Sequence, residues 1–150
     1  MGRTWAIVLL FILFINPNGL AQNEEQNIYL YKLLDQFYSE ISIQDAENAF
    51  LLTKSIDSLL LNNESIDTKS LAIYNNAKGF VYYNKKLNPE AYLIKADSLN
   101  NLLSLPNKEI EVYSSYVLAN YYYDKKEDSK AKKAYLKIIQ IKDIPEKLFH

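Results

Sequence analysis

The sequence predicts an all-α protein of about three antiparallel helix pairs. Three observations carry this reading. Apolar residues recur at helical spacing in six successive segments, the prolines Pro89, Pro106 and Pro145 fall only outside those segments, and no stretch alternates at period two between turn dipeptides. A chain of 150 residues with 49% hydrophobic content is enough for one small core and too little for two.

Each element follows from its spacing. Over 27–42, Ile28, Tyr31, Leu34 and Tyr38 share one side of a helix, with Leu30, Leu33 and Phe37 beside them. The second helix carries Ala46, Ala49, Phe50, Thr53, Ile56 and Leu60 and ends at Asn62-Asn63-Glu64-Ser65. A third runs from about Asp67 to Lys85 through Leu71, Tyr74, Lys78, Val81 and Tyr82. Asn88-Pro89-Glu90 starts the fourth, since asparagine accepts a bond from a free amide and proline suits the first turn. It continues to about Leu103. Pro106-Asn107 marks the next boundary, and the fifth helix carries Ile110, Tyr113, Val117, Ala119 and Tyr122. The polar run Asp124 to Asp128 ends it, and the sixth spans about Ser129 to Lys142.

Ahead of these helices, MGRTWAIVLLFILFINPNGLAQ has a cationic start at Arg3, an apolar run from Trp5 to Ile15, turn formers and a small residue at Ala21. That is the layout of a secretory signal peptide, residues 1–21, with cleavage expected between Ala21 and Gln22. The apolar run falls short of the roughly 20 residues a spanning helix needs, so no stable membrane span is expected after cleavage. The remaining domain, residues 22–150, is then exported, periplasmic or extracellular. It has no cysteine, so its stability must come from packing alone.

The second and third helix pairs align without gaps at a constant offset of 40 residues, which sets Gly79 over Ala119, Tyr82 over Tyr122, Lys85-Lys86 over Lys125-Lys126 and Ala91 over Ala131. Small residues at matched points let two helix backbones approach, and such a hairpin stacks on copies of itself. On these residues the chain resembles the tetratricopeptide (TPR) repeat. Leu118-Ala119, Tyr122, Ala131 and Tyr135 fall at that family's spacing; the second pair keeps Gly79, Tyr82 and Ala91 but has Lys95 where an aromatic is usual. In the first pair, Leu33-Leu34, Phe37, Ala46 and Phe50 give a register. The resemblance covers about residues 27–145 and implies a right-handed α-solenoid whose first helices line a concave surface.

Several function classes are disfavoured by inventory. A net charge of −1 and a single arginine, Arg3, leave no electrostatic footprint for nucleic acid. With no cysteine and one histidine, His150, nucleophilic triads and histidine-based zinc sites have no local constellation. Carboxylates such as Glu24, Glu25, Asp35, Glu40, Glu109 and Glu111 are spread as solvated helix faces are; an enzyme would need two of them converging in one pocket. Asn63-Glu64-Ser65 matches the glycan acceptor pattern but also a plain helix-ending turn. The lysines at 125, 126, 130, 132, 133 and 137 are interleaved with Glu127 and Asp128, as on a solvated outer face. The expected activity is therefore binding rather than catalysis, with no cofactor.

The resemblance places Asn76, Phe80, Tyr83 and Asn84 of the third helix, with Tyr113, Tyr116, Asn120 and Tyr123 of the fifth, on the concave face. Aromatic bodies with polar tips suit capture of a protein or peptide segment. The family's lysine and arginine clamp for a terminal carboxylate is unmatched at these positions. A scaffold or adaptor role follows; the alternative is the extracytoplasmic sensor end of a bacterial signalling protein, a TPR-bearing histidine kinase or transcriptional regulator. Finally, Ile138, Ile139 and Ile141, followed by Ile144, Leu148 and Phe149, form an apolar edge without a polar cap. That edge is expected to pair two copies into a homodimer or to be continued by further repeats.

Overall fold

The computed structural model describes residues 17–42, 44–61 and 66–141. Six helices and no strand occur among them: α1 (Pro17–Ser42), α2 (Ala46–Leu61), α3 (Thr68–Asn84), α4 (Glu90–Asn100), α5 (Lys108–Asp124) and α6 (Asp128–Gln140). All six follow the expected order. The expected cleavage point, Ala21-Gln22, falls within α1, which begins ten residues before the expected start at Asn27. Ile144, Leu148, Phe149 and Asn63-Glu64-Ser65 lie outside the described residues.

Side chains that satisfy the first free amides start the helices. Asp67 accepts the Ser70 N–H at 2.9 Å and the Ser70 hydroxyl at 2.6 Å, and Asn107 accepts the Glu109 N–H at 2.9 Å. Before α4, Asn88 accepts the Glu90 N–H at 2.9 Å, while Pro89 is buried in the capping position. Asp45 receives both the backbone and side-chain N–H of Asn48 at the start of α2.

Three turns within the helix pairs share one geometry that the residue types conceal. Gln44, Lys86 and Lys126 all have left-handed backbones, with φ of 61°, 59° and 61°. The next N–H in each case reaches back five residues, Asp45 to Glu40, Leu87 to Tyr82 and Glu127 to Tyr122. This is the Schellman end of a helix, usually built on glycine.

Cross-helix bonds fix the directions. Asp57 meets Tyr74 and Lys78, and Glu47 meets Lys85, so α2 and α3 are antiparallel. Glu90 meets Tyr122 and Asn100 meets Asn107, so α4 and α5 are antiparallel as well. The first helices run parallel, since Asn76 bonds Ser114 at 2.7 Å and Tyr83 bonds Asp124 at 3.0 Å. The short α5–α6 turn sets α6 antiparallel to α5 and hence parallel to α4, which it meets through Lys137 and Asp97 at 2.7 Å. Packing runs along α1, α3 and α5, with α2 between α1 and α3 and α4 between α3 and α5.

The core forms where these helices meet. Leu30, Leu33, Leu34 and Phe37 of α1 join Ala49 and Ile56 of α2 and Tyr74 and Val81 of α3. Phe37 meets the edge of Tyr74 at 5.5 Å, and Tyr82 lies between Phe50 and Tyr92 at 5.4 and 4.6 Å. Aromatic edges thus tie the first pair to the second. Between the second and third pairs the buried apolar cluster is smaller, Ala72, Ala96 and Ile110, and hydrogen bonds and an ion pair accompany it.

The gapless 40-residue alignment breaks at one turn. Five residues, 85–89, join α3 to α4, whereas three, 125–127, join α5 to α6. Ala91 is accordingly exposed, and Leu93 takes the seam position that Ala131 holds in the third pair. A Cβ on Gly79 would stand 2.4 Å from the Leu93 Cδ2, so the glycine makes room for the leucine. In the third pair Ala119 and Ala131, at the positions matching Gly79 and Leu93, are both buried. The first-pair register also changes: Ala49, Thr53 and Ile56 are buried, while Ala46 stands half-buried at the helix start. Gln44 is the turn residue there, and counting from it places Phe37 where the later pairs have Gly79 and Ala119.

Candidate functional site

A cavity of about 750 Å³ opens between α1, α3 and α5 near the turns of the helix pairs. Ile41 closes one side, Asn76, Ala77, Phe80, Val81 and Asn84 form the floor along α3, and Tyr113 and Val117 close the other side. Gln44 and Ala46 contribute from the α1–α2 turn. The size and the mixture of apolar lining with a few polar groups suit an organic ligand or a peptide side chain with its backbone.

Four of the eight residues expected on the concave face line this cavity: Asn76, Phe80, Asn84 and Tyr113. Helical spacing explains the set, because 76, 80 and 84 lie one turn apart on α3. Asn76 is committed to the fold, its amide donating to the Ser114 hydroxyl and to the Ile110 carbonyl. Among the described residues, the side chains of Gln44, Asn84 and Tyr113 have no hydrogen-bond partner. They are free hydrogen-bonding groups around an apolar floor, and none of the ten lining residues is charged.

The other four lie elsewhere. Tyr83 is half-buried and donates to Asp124; burial and that carboxylate raise its hydroxyl pKa. Asn120 donates to the Tyr116 carbonyl and accepts the Tyr135 hydroxyl at 2.9 Å, which spends its amide within the third pair. Tyr116 and Tyr123 are 54% and 66% exposed, against 8% for Tyr122, whose hydroxyl donates to Glu90 at 2.7 Å. The tyrosine triplet therefore divides as the helix period demands: 122 in the seam, 123 outward.

Ile41, Gln44, Ala46, Ala77, Val81 and Val117 are lining residues not expected from the sequence. Ile41 lies one turn beyond the buried Phe37, so extending the α1 stripe would have reached it. Gln44 carried no signal, since nothing marks a glutamine as a left-handed turn residue.

Polar chemistry is concentrated elsewhere, at Lys78. Its ammonium is buried, pairs with Asp57 at 2.5 Å and stands 4.1 Å from the centre of the Tyr92 ring, with the rings of Tyr82 and Tyr74 at 5.5 and 5.8 Å. Tyr74 donates to the same Asp57 at 2.9 Å. Burial first, and Asp57 second, push the Tyr74 hydroxyl pKa well up. This cluster braces α2, α3 and α4. The carboxylates Asp57, Glu47, Asp97, Glu90 and Asp124 are likewise paired across helices, and none lines the cavity. Lys137 departs from the expected solvated lysine face, since it ties α6 to Asp97. Among the described residues, no three His, Cys, Asp or Glu side chains gather as a metal site would need. Compared with known protein families, characterised proteins and solved structures, the chain has no match.

Proposed function

We propose that this protein is an exported helical-repeat module of the TPR-like, right-handed α-solenoid kind, and that it holds an uncharged protein or peptide segment in the groove between α1, α3 and α5. One observation carries the reading: Gln44, Asn84 and Tyr113 present unpartnered polar groups around an apolar floor of Ile41, Phe80, Val81 and Val117. An extended peptide supplies what that surface lacks. Its backbone matches amide and hydroxyl groups, and its apolar side chains cover Phe80, which is otherwise exposed. The first helices pack on one another along the array while the second helices meet mainly first helices, and this favours curvature with α1, α3 and α5 inside. The role is holding rather than chemistry, for the groove offers no acid, base or nucleophile stronger than a tyrosine.

The test is selection from a random linear peptide library against the full chain, followed by affinity measurement on variants. Selected peptides should lose about tenfold or more in affinity with Phe80→Ala, and several-fold with Asn84→Ala or Tyr113→Ala, as anchoring contacts do. Peptides that bind all three variants as well as the parent would refute the groove.

A further inference from the structure

One side of α5 stays open after the helices around it are in place. From Val112 to Tyr123 its exposed residues are Tyr113, Tyr116 and Tyr123, at 46, 54 and 66%, and no residue of that stretch is charged. With the half-buried Asn120 they are spaced three, four and three residues apart, as on a helix side that meets another helix. The hydroxyls of Tyr116 and Tyr123 have no hydrogen-bond partner among the described residues.

The preceding helix pair shows what such a side does. The 40-residue offset that sets Gly79 over Ala119 also sets Asn76 over Tyr116 and Tyr83 over Tyr123. Asn76 and Tyr83 are the residues through which α3 holds α5, by bonds to Ser114 and Asp124. Tyr116 and Tyr123 therefore stand where a first helix is held against the next one, and no helix among the described residues takes that place on α5.

We propose that a second copy of this chain takes it, with the two α5 helices packed antiparallel across a two-fold axis near Leu118. Shape selects a copy. Antiparallel pairing sets Tyr116 of each copy against Asn120 of the other and Tyr113 against Tyr123. Asn120 is drawn in by its bonds to the Tyr116 carbonyl and the Tyr135 hydroxyl, so it leaves a hollow that the opposing Tyr116 ring fills. Charge selects a copy as well. No like charges oppose each other from Val112 to Tyr123, and tyrosine hydroxyls both donate and accept, so the stripe complements itself as an isologous interface requires. The far end of the array does not match it. From Lys32 onward the exposed side of α1 carries Lys32, Asp35, Gln36 and Ser39, a polar face of the kind that closes an array, so copies do not stack head to tail. The contact borders the groove at Tyr113 but does not rest on it.

Sedimentation velocity of the full chain over a concentration series should show a reversible monomer–dimer equilibrium. Tyr116→Ala and Tyr123→Ala should each weaken it by about tenfold or more, while Asn84→Ala, in the groove, leaves it unchanged. At dilutions where the parent is monomeric, both tyrosine variants should melt close to it. The chain has no cysteine, so Lys125→Cys carries one spin label per copy. Antiparallel helices crossing at Leu118 hold the two labelled positions roughly 20 Å apart along their axes, whereas parallel ones would hold them side by side. A chain that stays monomeric throughout the series overturns the proposal, as does a dimer with the labels side by side. So does a dimer that either tyrosine variant leaves intact, or one that Asn84→Ala weakens as much as they do.

Discussion

At the scale of the residue, the structure turns on side chains whose roles depend on a distant partner. Lys78 falls on an apolar stripe in the sequence, and its partner Asp57 lies 21 residues earlier on another helix, so nothing local announces the pair. Removing the carboxylate strands a buried cation, and Asp57→Ala should cost about 3–5 kcal/mol in denaturant unfolding. Lys78→Met keeps the stem and leaves a carboxylate that water can reach; it should cost far less, and equal losses would mean that the charge pair itself sets the stability. Gly79→Ala should cost about 1–3 kcal/mol by forcing its Cβ against Leu93, and most of that cost should vanish when the same change is made in a Leu93→Ala background. Lys86 and Lys126 hold left-handed backbones at a strain that glycine avoids, so Lys86→Gly and Lys126→Gly should each raise stability by about 0.5–1 kcal/mol. A drop in melting temperature for both would show that their side chains matter more than their backbones.

At the scale of the element, helix existence and order were legible, because the breakers sit between the stripes and the caps at Asp67, Asn88 and Asn107 are ones a sequence displays. The seams were legible only in part. Tyr122, Ala119 and Ala131 could be placed from spacing, but Ala91 could not. Matching letters across a gapless alignment does not reveal that one turn holds two more residues than the other, and a slip of two rotates a helical residue by more than half a turn. Half of the expected concave face entered the groove for a related reason: Tyr83 and Asn120 found partners within or between pairs, and no periodicity predicts a hydrogen bond to Asp124 or Tyr135. Tyr122→Ala should cost about 3 kcal/mol as a lost core aromatic, whereas Tyr116→Ala and Tyr123→Ala should each cost under about 1 kcal/mol; thermal melts on the three variants decide it. The cap at Asp67 carries a pH signature. Hydrogen bonds from Ser70 lower its pKa below the ordinary 3.8, so its contribution is complete above that value and fades as pH falls through the folded value. Asp67→Ala should therefore lose about 0.5–2 kcal/mol at neutral pH and match the parent in strong acid.

At the scale of the molecule, stability should fall on the alkaline side. Burial raises Tyr38, Tyr74 and Tyr122 well above the ordinary value of 10.0, so each favours the folded state fully below that pH and less as pH rises beyond it, where the unfolded chain ionises and the folded one does not. Circular dichroism should show cooperative unfolding beginning above about pH 10, and a chain still folded with all its tyrosines ionised would contradict the burial described here. The size exchange across the seams has a last consequence, for the history of the chain rather than its energetics. Glycine faces leucine in one pair, and buried alanines hold the matching positions in the next, so the helices of different pairs are not spare parts for one another. Recombination that breaks the gene between pairs preserves every seam, while a crossover inside a pair would join α3 to α6 and leave Gly79 opposite Ala131 with a hole between them. Lineages descended from such an array should therefore gain and lose whole hairpins and never single helices.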